Sequence, residues 1–309
     1  MLSTPPIPGG QRLTDVDDLA RIFPNWTGCF EQLSRGRFEG ALRLGRSRHA
    51  VAHHATSNQA LRVRGREAVG LLTIGLVLPR AEGSRWQGRP LQAGQIVIRD
   101  GQTEANHLAT RNTESLVFGL PEPIFQRAIA AETGDWPKPR GWRSVHPNPG
   151  AFVHLRDITL QFIRATIETG RASDEIEAKC IAAAIAVLVP ERRRDRLPSA
   201  PRAELVRRAE AVMRDRFREP LNELALSREL GVSGRTLSLA FREQFGMGPA
   251  SFCQVLRLNA ARSVLKQARR AEAPVARIAR EFGFSHLGKF ARYYSRLFRE
   301  LPSQTCRGH

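Results

Sequence analysis

The chain of 309 residues is 41% hydrophobic and 25% charged, which is typical of a folded protein of about two domains and excludes a wholly disordered chain. Its net charge is +18, and residues 200–309 hold 21 basic against 10 acidic side chains. A basic surface attracts polyanions, most commonly nucleic acid, by releasing their condensed counterions. The alternative is that an arginine-rich chain reflects only the base composition of its genome.

The spacing of the cysteines argues against a zinc site and a disulfide scaffold, and the apolar runs argue against a signal peptide and a membrane span. The four cysteines lie far apart, without the CxxC spacing of a zinc site or the dense pattern of a disulfide scaffold: Cys29, Cys180, Cys253 and Cys306. Residues 1–18 lack the basic-then-apolar order of a signal peptide, and the longest strongly apolar run, IAAAIAVLV, is too short to span a bilayer. We therefore expect a cytoplasmic protein without a membrane partner.

The N-terminal part of the sequence changes from a strand pattern to a helical pattern. From about 38 to 121, short apolar runs are separated by Gly, Pro and Asn, which predicts strands of a β sandwich or barrel. From about 122 to 189, apolar residues recur at helical intervals, and Ser173 with the acids after it is typical of a helix start. One helical face is formed by Phe152, Leu155, Ile158, Phe162, Ile163 and Thr166.

A segment rich in proline and charge follows these helices. Residues 190–203 show no apolar periodicity, which predicts a linker between domains. We predict a two-domain α+β protein, with a β-rich, cupin-like N-terminal sensor domain that also carries helices over 1–189. The segment 204–309 is predicted to form an all-α C-terminal domain.

One sequence unit occurs twice in the C-terminal domain. LSRELGVS at 226–233 matches IAREFGFS at 278–285 in six of eight positions when the Leu/Ile and Leu/Phe pairs count as matches and the Ser227/Ala279 and Val232/Phe284 pairs do not. The offset between the copies is 52 up to the serine and 53 beyond it, where Leu237 pairs with Phe290. The second copy therefore contains one extra turn residue.

Each copy has the composition of a helix-turn-helix motif. A small residue allows two helices to cross closely, a glycine supplies the tight turn, and a serine is expected to cap the second helix. In the two copies these residues are Ser227 and Ala279, Gly231 and Gly283, and Ser233 and Ser285. The C-terminal domain is therefore predicted to hold two helix-turn-helix motifs.

In the second helix of the second copy, the aromatic and the basic side chains are predicted to lie on different faces. A buried stripe is predicted for Phe290, Tyr294, Leu297 and Phe298. This spacing favours core packing over base stacking by a single-strand binder. Lys289, Arg292, Arg296 and Arg299 lie on other faces, where they can meet phosphate.

The segment between the copies reads as one helix. Residues 249–268 keep an uninterrupted helical pattern. At about 1.5 Å per residue the segment spans about 27 Å, comparable with the separation of about 34 Å between successive major-groove faces of DNA. A connector of this length can present two reading helices to one side of a duplex.

Residues 205–305, about a third of the chain, contain the motifs GVSGRTLSLAFREQFGMGPASF, RLNAARSVL, VARIAREFGFSHLGKFARYYSRLF and a final Pro-Ser. These motifs give the segment a close resemblance to the DNA-binding domain of the AraC/XylS family of bacterial transcriptional regulators. It implies that both second helices enter the major groove of double-stranded DNA, with base contacts from Arg235, Ser238, Leu239, Leu287, Gly288, Ala291 and Arg292. We expect phosphate contacts from Ser233, Arg242, Arg257, Ser285, Lys289 and Arg296.

The sequence departs from the family pattern at two places. Leu239 stands where an arginine is frequent and, like Gly288 and Ala291, offers no hydrogen bond to a base. Direct readout is therefore expected to rest on Arg235, Ser238 and Arg292. Arg299 stands where the family usually has glycine, which leaves the end of the last reading helix open.

A cupin-like enzyme with a DNA-targeting tail is the main alternative. A cupin-type metal site needs clustered histidines with a carboxylate, whereas the adjacent His53 and His54 point to opposite faces of an extended strand. Cys29 lacks a neighbouring group that would activate it for methyl transfer. We predict no metal, no cofactor and no enzymatic activity. For Trp86 two roles stay open, lining an effector pocket or covering a turn.

The combined prediction is a sequence-specific transcriptional regulator controlled by a small-molecule effector in its N-terminal domain. A homodimer formed through the helical segment near 151–189 is expected, and contact with RNA polymerase is an open possibility. A third alternative is a non-specific architectural DNA binder, which has similar affinity for any duplex. A regulator should favour its own site by roughly 10³ or more.

Overall fold

A computed structural model describes residues 10–22, 26–66, 70–133, 141–188, 201–267 and 275–306. The chain divides into two compact units. The first comprises Met1–Phe30, Glu39–Trp86 and Pro90–Pro198, and the second comprises Glu31–Phe38, Gln87–Arg89 and Ser199–His309. Within the described ranges, none of the helices is long and apolar enough to cross a membrane.

Strands dominate the chain as far as Pro121, and helices follow. In chain order the elements are β1 (Gln11–Leu13), α1 (Asp17–Ile22), β2 (Thr27–Gln32), β3 (Gly40–Arg46), β4 (Val51–Ser57), β5 (Leu61–Arg66), β6 (Leu71–Leu76), a 3₁₀ turn (Pro79–Ala81), β7 (Arg85–Trp86), β8 (Arg89–Pro90), β9 (Ile96–Arg99), β10 (Ala105–Ala109), β11 (Thr113–Pro121), α2 (Glu122–Thr133), β12 (Trp142–Val145), α3 (Pro149–Thr169) and α4 (Asp174–Leu188). The described strands form two sheets, ordered β1-β3-β4-β11-β6-β9-β12 and β2-β5-β10-β7-β8. The predicted β-rich N-terminal fold with helices is confirmed.

One face of the larger sheet packs against α2, α3 and α4 in a common apolar core. Leu72 and Ile74 of β6 point into this core and are each 1% exposed. Because successive strand residues face opposite sides, Thr73 and Gly75 face a cavity on the other side of the sheet. The strand alternation thus separates a helix-covered core from the cavity.

The helical face predicted in this region is confirmed. The residues of α3 that it comprises are all buried: Phe152, Leu155, Ile158, Phe162, Ile163 and Thr166. The Phe162 ring meets Phe118 of β11 edge-on, with ring centroids 5.9 Å apart. The predicted start of the next helix is also confirmed, since the Ser173 hydroxyl accepts a hydrogen bond from Ile176 N–H at 3.3 Å.

The expected limits of the strand and helix regions need two corrections. Among the described residues the first strand begins at Gln11, well before residue 38. The segment 122–189, expected to be helical, contains β12, which pairs antiparallel with β9. A strand of four residues is too short for its period to stand out in the sequence. It is stabilised by pairing with a strand that lies far away in the sequence.

The described second unit is largely helical after residue 200, which confirms the all-α prediction. Its helices are α5 (Pro201–Asp215), α6 (Glu223–Glu229), α7 (Gly234–Phe245), α8 (Pro249–Gln267), α9 (Val275–Glu281), α10 (Leu287–Phe298) and α11 (Pro302–Cys306). The linker expected over 190–203 lies outside the described residues as far as residue 200. Its last three residues instead begin α5, because proline is favoured in the first turn of a helix.

Candidate nucleic-acid interface and ligand cavity

Two turns of the second unit have the same backbone geometry. Gly231 and Gly283 have φ angles of 70° and 78°, in the left-handed region that glycine enters without steric cost. In each turn the N–H after the glycine donates to the carbonyl of Ser227 or Ala279, at 3.0 and 2.9 Å. Both small residues are buried, at 2% and 0% exposed. The repeat predicted from the sequence is therefore confirmed as a repeated helix-turn-helix.

The second helices of the two motifs are capped by different kinds of residue. Ser233 is the N-cap of α7, and its hydroxyl accepts a hydrogen bond from Thr236 N–H at 3.1 Å. The expectation that Ser285 caps α10 is wrong, because the N-cap is His286, whose side chain makes no capping bond. The extra residue of the second copy takes the cap position, and the change of offset after the serine was the signal that marked it.

Aromatic side chains anchor α10 in the core of the second unit. Phe290 and Tyr294 are 0% exposed and Phe298 is 5% exposed. The hydroxyl of Tyr294 lies 2.7 Å from the hydroxyl of Thr305, which gives this buried polar group a partner. Rings packed in this core are not accessible to nucleotide bases, so the predicted core stripe is confirmed.

The predicted base contacts lie on the other faces of α7 and α10. Arg235, Leu239, Leu287, Gly288 and Arg292 are exposed, and Ser238 and Ala291 are half-buried. Leu239 and Leu287 are 48% and 43% exposed, so each helix presents an apolar group as well as an arginine. Their contacts with DNA stay predictions.

The predicted phosphate contacts fall into two groups. Exposed side chains are Ser233, Arg242, Ser285, Lys289 and Arg296. Arg257 of α8 is instead engaged inside the unit, where its Nη2 donates to the carbonyl of Glu219. Arg257 would have to give up its hydrogen bond to Glu219 to contact phosphate through Nη2. Its phosphate contact stays a prediction.

The predicted connector between the motifs is confirmed as α8. Its 19 residues correspond to a length of about 28 Å at 1.5 Å per residue. Arg262 of this helix is 7% exposed, and its Nε donates to the Glu300 carboxylate at 3.0 Å. Its guanidinium also lies over the ring of Phe298, 5.0 Å from the centroid. Arg262 thus ties the connector to the end of α10.

The sequence could not predict where α10 ends, and in the structure its last residue is Phe298. Arg299 follows in a left-handed conformation, with φ 59° and ψ 30°, and its N–H donates to Ser295 O at 2.9 Å. Gly246 closes α7 in the same way, with φ 69°. The two reading helices therefore end alike, although one of them uses a residue that carries a Cβ.

Replacing Arg299 with glycine is expected to raise the free energy of unfolding by about 1 kcal/mol, because a non-glycine residue in the left-handed region is strained. Chemical denaturation of the full chain measures the change. The matched substitution Gly246→Arg is expected to lower the stability by a similar amount. An Arg299→Gly variant no more stable than the parent would show that this strain is absent.

A cavity of about 190 Å³ lies within the first unit. Its wall is drawn mainly from the inner faces of the two sheets and includes Trp26, Phe30, Trp86 and Arg99. Of the two roles considered for Trp86, the structure places the side chain in a cavity wall. Arg99 is 3% exposed, and its Nη1 donates to Thr103 O at 3.1 Å.

Two histidines also line the cavity. Burial lowers the pKa of His53 and of His107 to about 4, so both rings are neutral at pH 7. His54 does not line the cavity, and its Nε2 lies 2.7 Å from the Glu114 carboxylate. Among the described residues, no three His, Cys, Asp or Glu side chains are grouped so as to hold a metal ion. The absence of a metal site and of enzymatic activity stays a prediction.

Part of the chain is similar to known regulators. Residues 226–308 match the family described as a helix-turn-helix domain. A probable thc operon regulatory protein from Rhodococcus erythropolis is 31% identical over 132 residues, 42% of this chain and 40% of that relative. An XylDLEGF operon transcriptional activator from Pseudomonas putida is 24% identical over 222 residues, 69% of this chain and 67% of that relative. The match thus spans two fifths of the first relative's length.

One solved structure is similar to the C-terminal part in sequence. It is a probable AraC family transcriptional regulator from Rhodopseudomonas palustris CGA009, with 32% sequence identity. The match covers 34% of this chain and 95% of that chain, with a TM-score of 0.32.

Proposed function

Because the chain belongs to the AraC/XylS family of transcriptional regulators, we propose that α7 and α10 enter successive major-groove segments of one DNA duplex. The main support is the duplicated geometry, since both motifs have the same turn and both bury the apolar stripe of their second helix. The opposite faces stay exposed and basic. The length of α8, about 28 Å, is comparable with the groove spacing of about 34 Å.

Base selection is proposed to combine arginine and leucine contacts. Arg235 and Arg292 suit the two acceptors that guanine presents in the major groove, and Leu239 and Leu287 suit the methyl group of thymine. The half-buried Ser238 adds one hydroxyl on the face of α7. The preferred site should therefore contain guanine and thymine within each half.

Affinity is proposed to come from contacts with the sugar-phosphate backbone. The exposed side chains of Arg242, Lys289 and Arg296 supply positive charge beside the reading faces, and such contacts release condensed counterions. Ser233 and Ser285 lie exposed near the starts of the two reading helices, where the positive end of a helix favours phosphate.

Control by a small-molecule effector is proposed for the first unit, with the cavity as its site.

A homodimer through α3 is also proposed. Val153 and Ile167 are 41% and 46% exposed, and Leu160 lies midway between them. Apolar residues seven positions apart share one face of a helix, and that face can pack against a second copy. A protein that stays monomeric in analytical ultracentrifugation at micromolar concentration would rule out this dimer.

Contact with RNA polymerase is a further proposal, to be tested by adding purified polymerase to the DNA-bound protein.

Selection from a library of random DNA duplexes tests the proposed DNA binding. The full chain is expected to enrich one motif with two conserved clusters whose centres lie about 10 base pairs apart. In fluorescence anisotropy the enriched duplex should bind at least about 10³-fold more tightly than a scrambled duplex of the same composition.

The same measurement separates a regulator from an architectural DNA binder. Equal affinity for the enriched and the scrambled duplex would reject sequence-specific binding. A single conserved cluster would reject the simultaneous insertion of both helices, while leaving DNA binding by one motif in place.

A further inference from the structure

A short segment from the N-terminal part of the sequence belongs to the second unit. We call Glu31–Phe38 the strap, and it forms one compact unit with the helices α5 to α11. Glu31, Gln32, Leu33 and Phe38 of the strap are buried, and Gln32 is only 1% exposed. Glutamate and glutamine are seldom buried unless their polar atoms have partners. The partners of Glu31 and Gln32 lie on three different helices of the unit.

The side chain of Gln32 folds the strap and closes the end of α10. Its Nε2 donates to the carbonyl oxygens of Ser34 and Gly36 at 2.8 and 2.7 Å. It also donates to the carbonyl of Leu297 at 2.9 Å, and Gly36 N–H donates to the same carbonyl at 3.0 Å. Leu297 lies in the last turn of α10, where carbonyl groups have no partner within the helix. The strap thus caps the C-terminal end of the second reading helix.

The backbone of Gln32 attaches the strap to the connector α8. The N–H of Gln32 donates to Asn259 Oδ1 at 3.0 Å, and Asn259 Nδ2 donates to the carbonyl of Gln32 at 3.0 Å. Asn259 Nδ2 also donates to Val255 O at 2.9 Å, which holds the amide against its own helix. Because two bonds join the same pair of residues, they restrict rotation as well as distance. Gln32 therefore joins α8 to the end of α10.

Glu31 joins the strap to α5 through a buried ion pair. Arg214 of α5 donates from Nη2 to the Glu31 carboxylate at 2.6 Å and from Nε to the Glu210 carboxylate at 2.8 Å. Both carboxylates are buried, and charges taken out of water need partners of opposite charge. The helix α5 packs against α7, the first reading helix. Two adjacent strap residues thus connect the helix that supports α7 with the connector and with α10.

We propose that Glu31 and Gln32 are positioning residues that hold the reading helix α10 at a fixed place relative to α7. Neither residue contacts DNA, and both act through α5, α8 and the Leu297 carbonyl. This inference rests on the proposed insertion of both reading helices into one duplex, and it adds to that function two residues far outside the helix-turn-helix motifs. A rigid link between two binding elements raises affinity only for sites whose spacing matches it.

Anisotropy titrations of the full chain with three kinds of duplex test the proposal. They are the site enriched from the random library, the same site with one base pair added between its clusters, and sites with one cluster scrambled. Gln32→Ala is expected to weaken binding to the enriched site by about five- to tenfold. Its preference for the enriched site over the lengthened site should fall by about threefold or more. Affinity for the one-cluster sites should change by less than about twofold, because one motif suffices there.

Hydrogen exchange of the free full chain gives a readout that does not depend on DNA. In Gln32→Ala the amide hydrogens of residues 296–299 are expected to exchange about fivefold or more faster, because the Leu297 carbonyl loses its side-chain donor and the helix end frays. Amide hydrogens in the last turn of α7 should exchange at the parent rate. Asn259→Ala removes the attachment to α8 without changing the strap sequence, and it should reduce the spacing preference in the same direction.

Gln59→Ala serves as the control for removing a buried glutamine. Gln59 is 2% exposed and belongs to the first unit. Its loss should leave the preference among the duplexes and the exchange at the end of α10 unchanged.

Three outcomes would overturn the proposal. They are parental affinity ratios in both Gln32→Ala and Asn259→Ala, equal changes in Gln32→Ala and the Gln59→Ala control, or parental exchange at the end of α10 in Gln32→Ala. Failure of the proposed function looks different, because the parent chain itself would then enrich one cluster or none. In that case the exchange measurement still decides whether the strap holds α10.

Discussion

Replacing Arg292 with alanine is expected to relax the base preference at one position of the bound site. Arg292 is exposed on α10, and the other predicted base contacts of that helix, Leu287, Gly288 and Ala291, have no side-chain donor. A bidentate arginine contact with guanine contributes about 1–3 kcal/mol of discrimination, or roughly five- to 150-fold. Anisotropy titrations with the selected site and its single-base variants measure that loss.

Arg296→Ala is the matched control on the same helix. Arg296 is also exposed, but it is assigned to phosphate, which carries no sequence information. Its loss should weaken binding to all duplexes alike and reduce the slope of log affinity against log salt by about one. If the two variants behave identically, then the division of α10 into base and phosphate contacts is wrong.

The helix-turn-helix motifs could be predicted because their determinants are local in sequence. Gly231, Ser233 and the apolar stripe of α7 lie close together, so a pattern suffices to place the turn, the cap and the buried face. The wrong cap at Ser285 shows the limit of that reasoning. A single inserted residue moves the cap to His286, whose side chain makes no capping bond and so gives no composition signal.

The residues that form the cavity wall could not be predicted, because the wall is assembled from distant parts of the chain. Trp26, Trp86 and Thr113 are brought to one cavity by sheet order, with β7 paired next to β10 and β11 central in the other sheet. The sequence left two roles open for Trp86, lining an effector pocket or covering a turn. The choice between them depends on side chains that meet only in the folded unit.

Gly283→Ala is expected to destabilise the second unit far more than Gly231→Ala. Both glycines have positive φ angles, so each alanine adds backbone strain of about 1 kcal/mol. A Cβ on Gly283 would also lie 2.5 Å from the carbonyl oxygen of Phe217 and 3.0 Å from Arg257 Nη1, whereas a Cβ on Gly231 meets nothing within 4 Å. Overpacking adds about 1–3 kcal/mol. Chemical denaturation of the two variants measures the difference.

The crowding at Gly283 also links the second motif to the segment that precedes the first. Phe217 lies between α5 and α6, and its ring meets Phe282 of the second motif edge-on, with centroids 6.0 Å apart. Arg257 of the connector reaches both the Gly283 turn and the carbonyl of Glu219. Gly283→Ala should therefore disturb the placement of α10 relative to α7, and selected DNA should lose one of its two clusters. Gly231→Ala should keep both clusters, and equal stability losses in the two variants would show that this packing does not fix the turn.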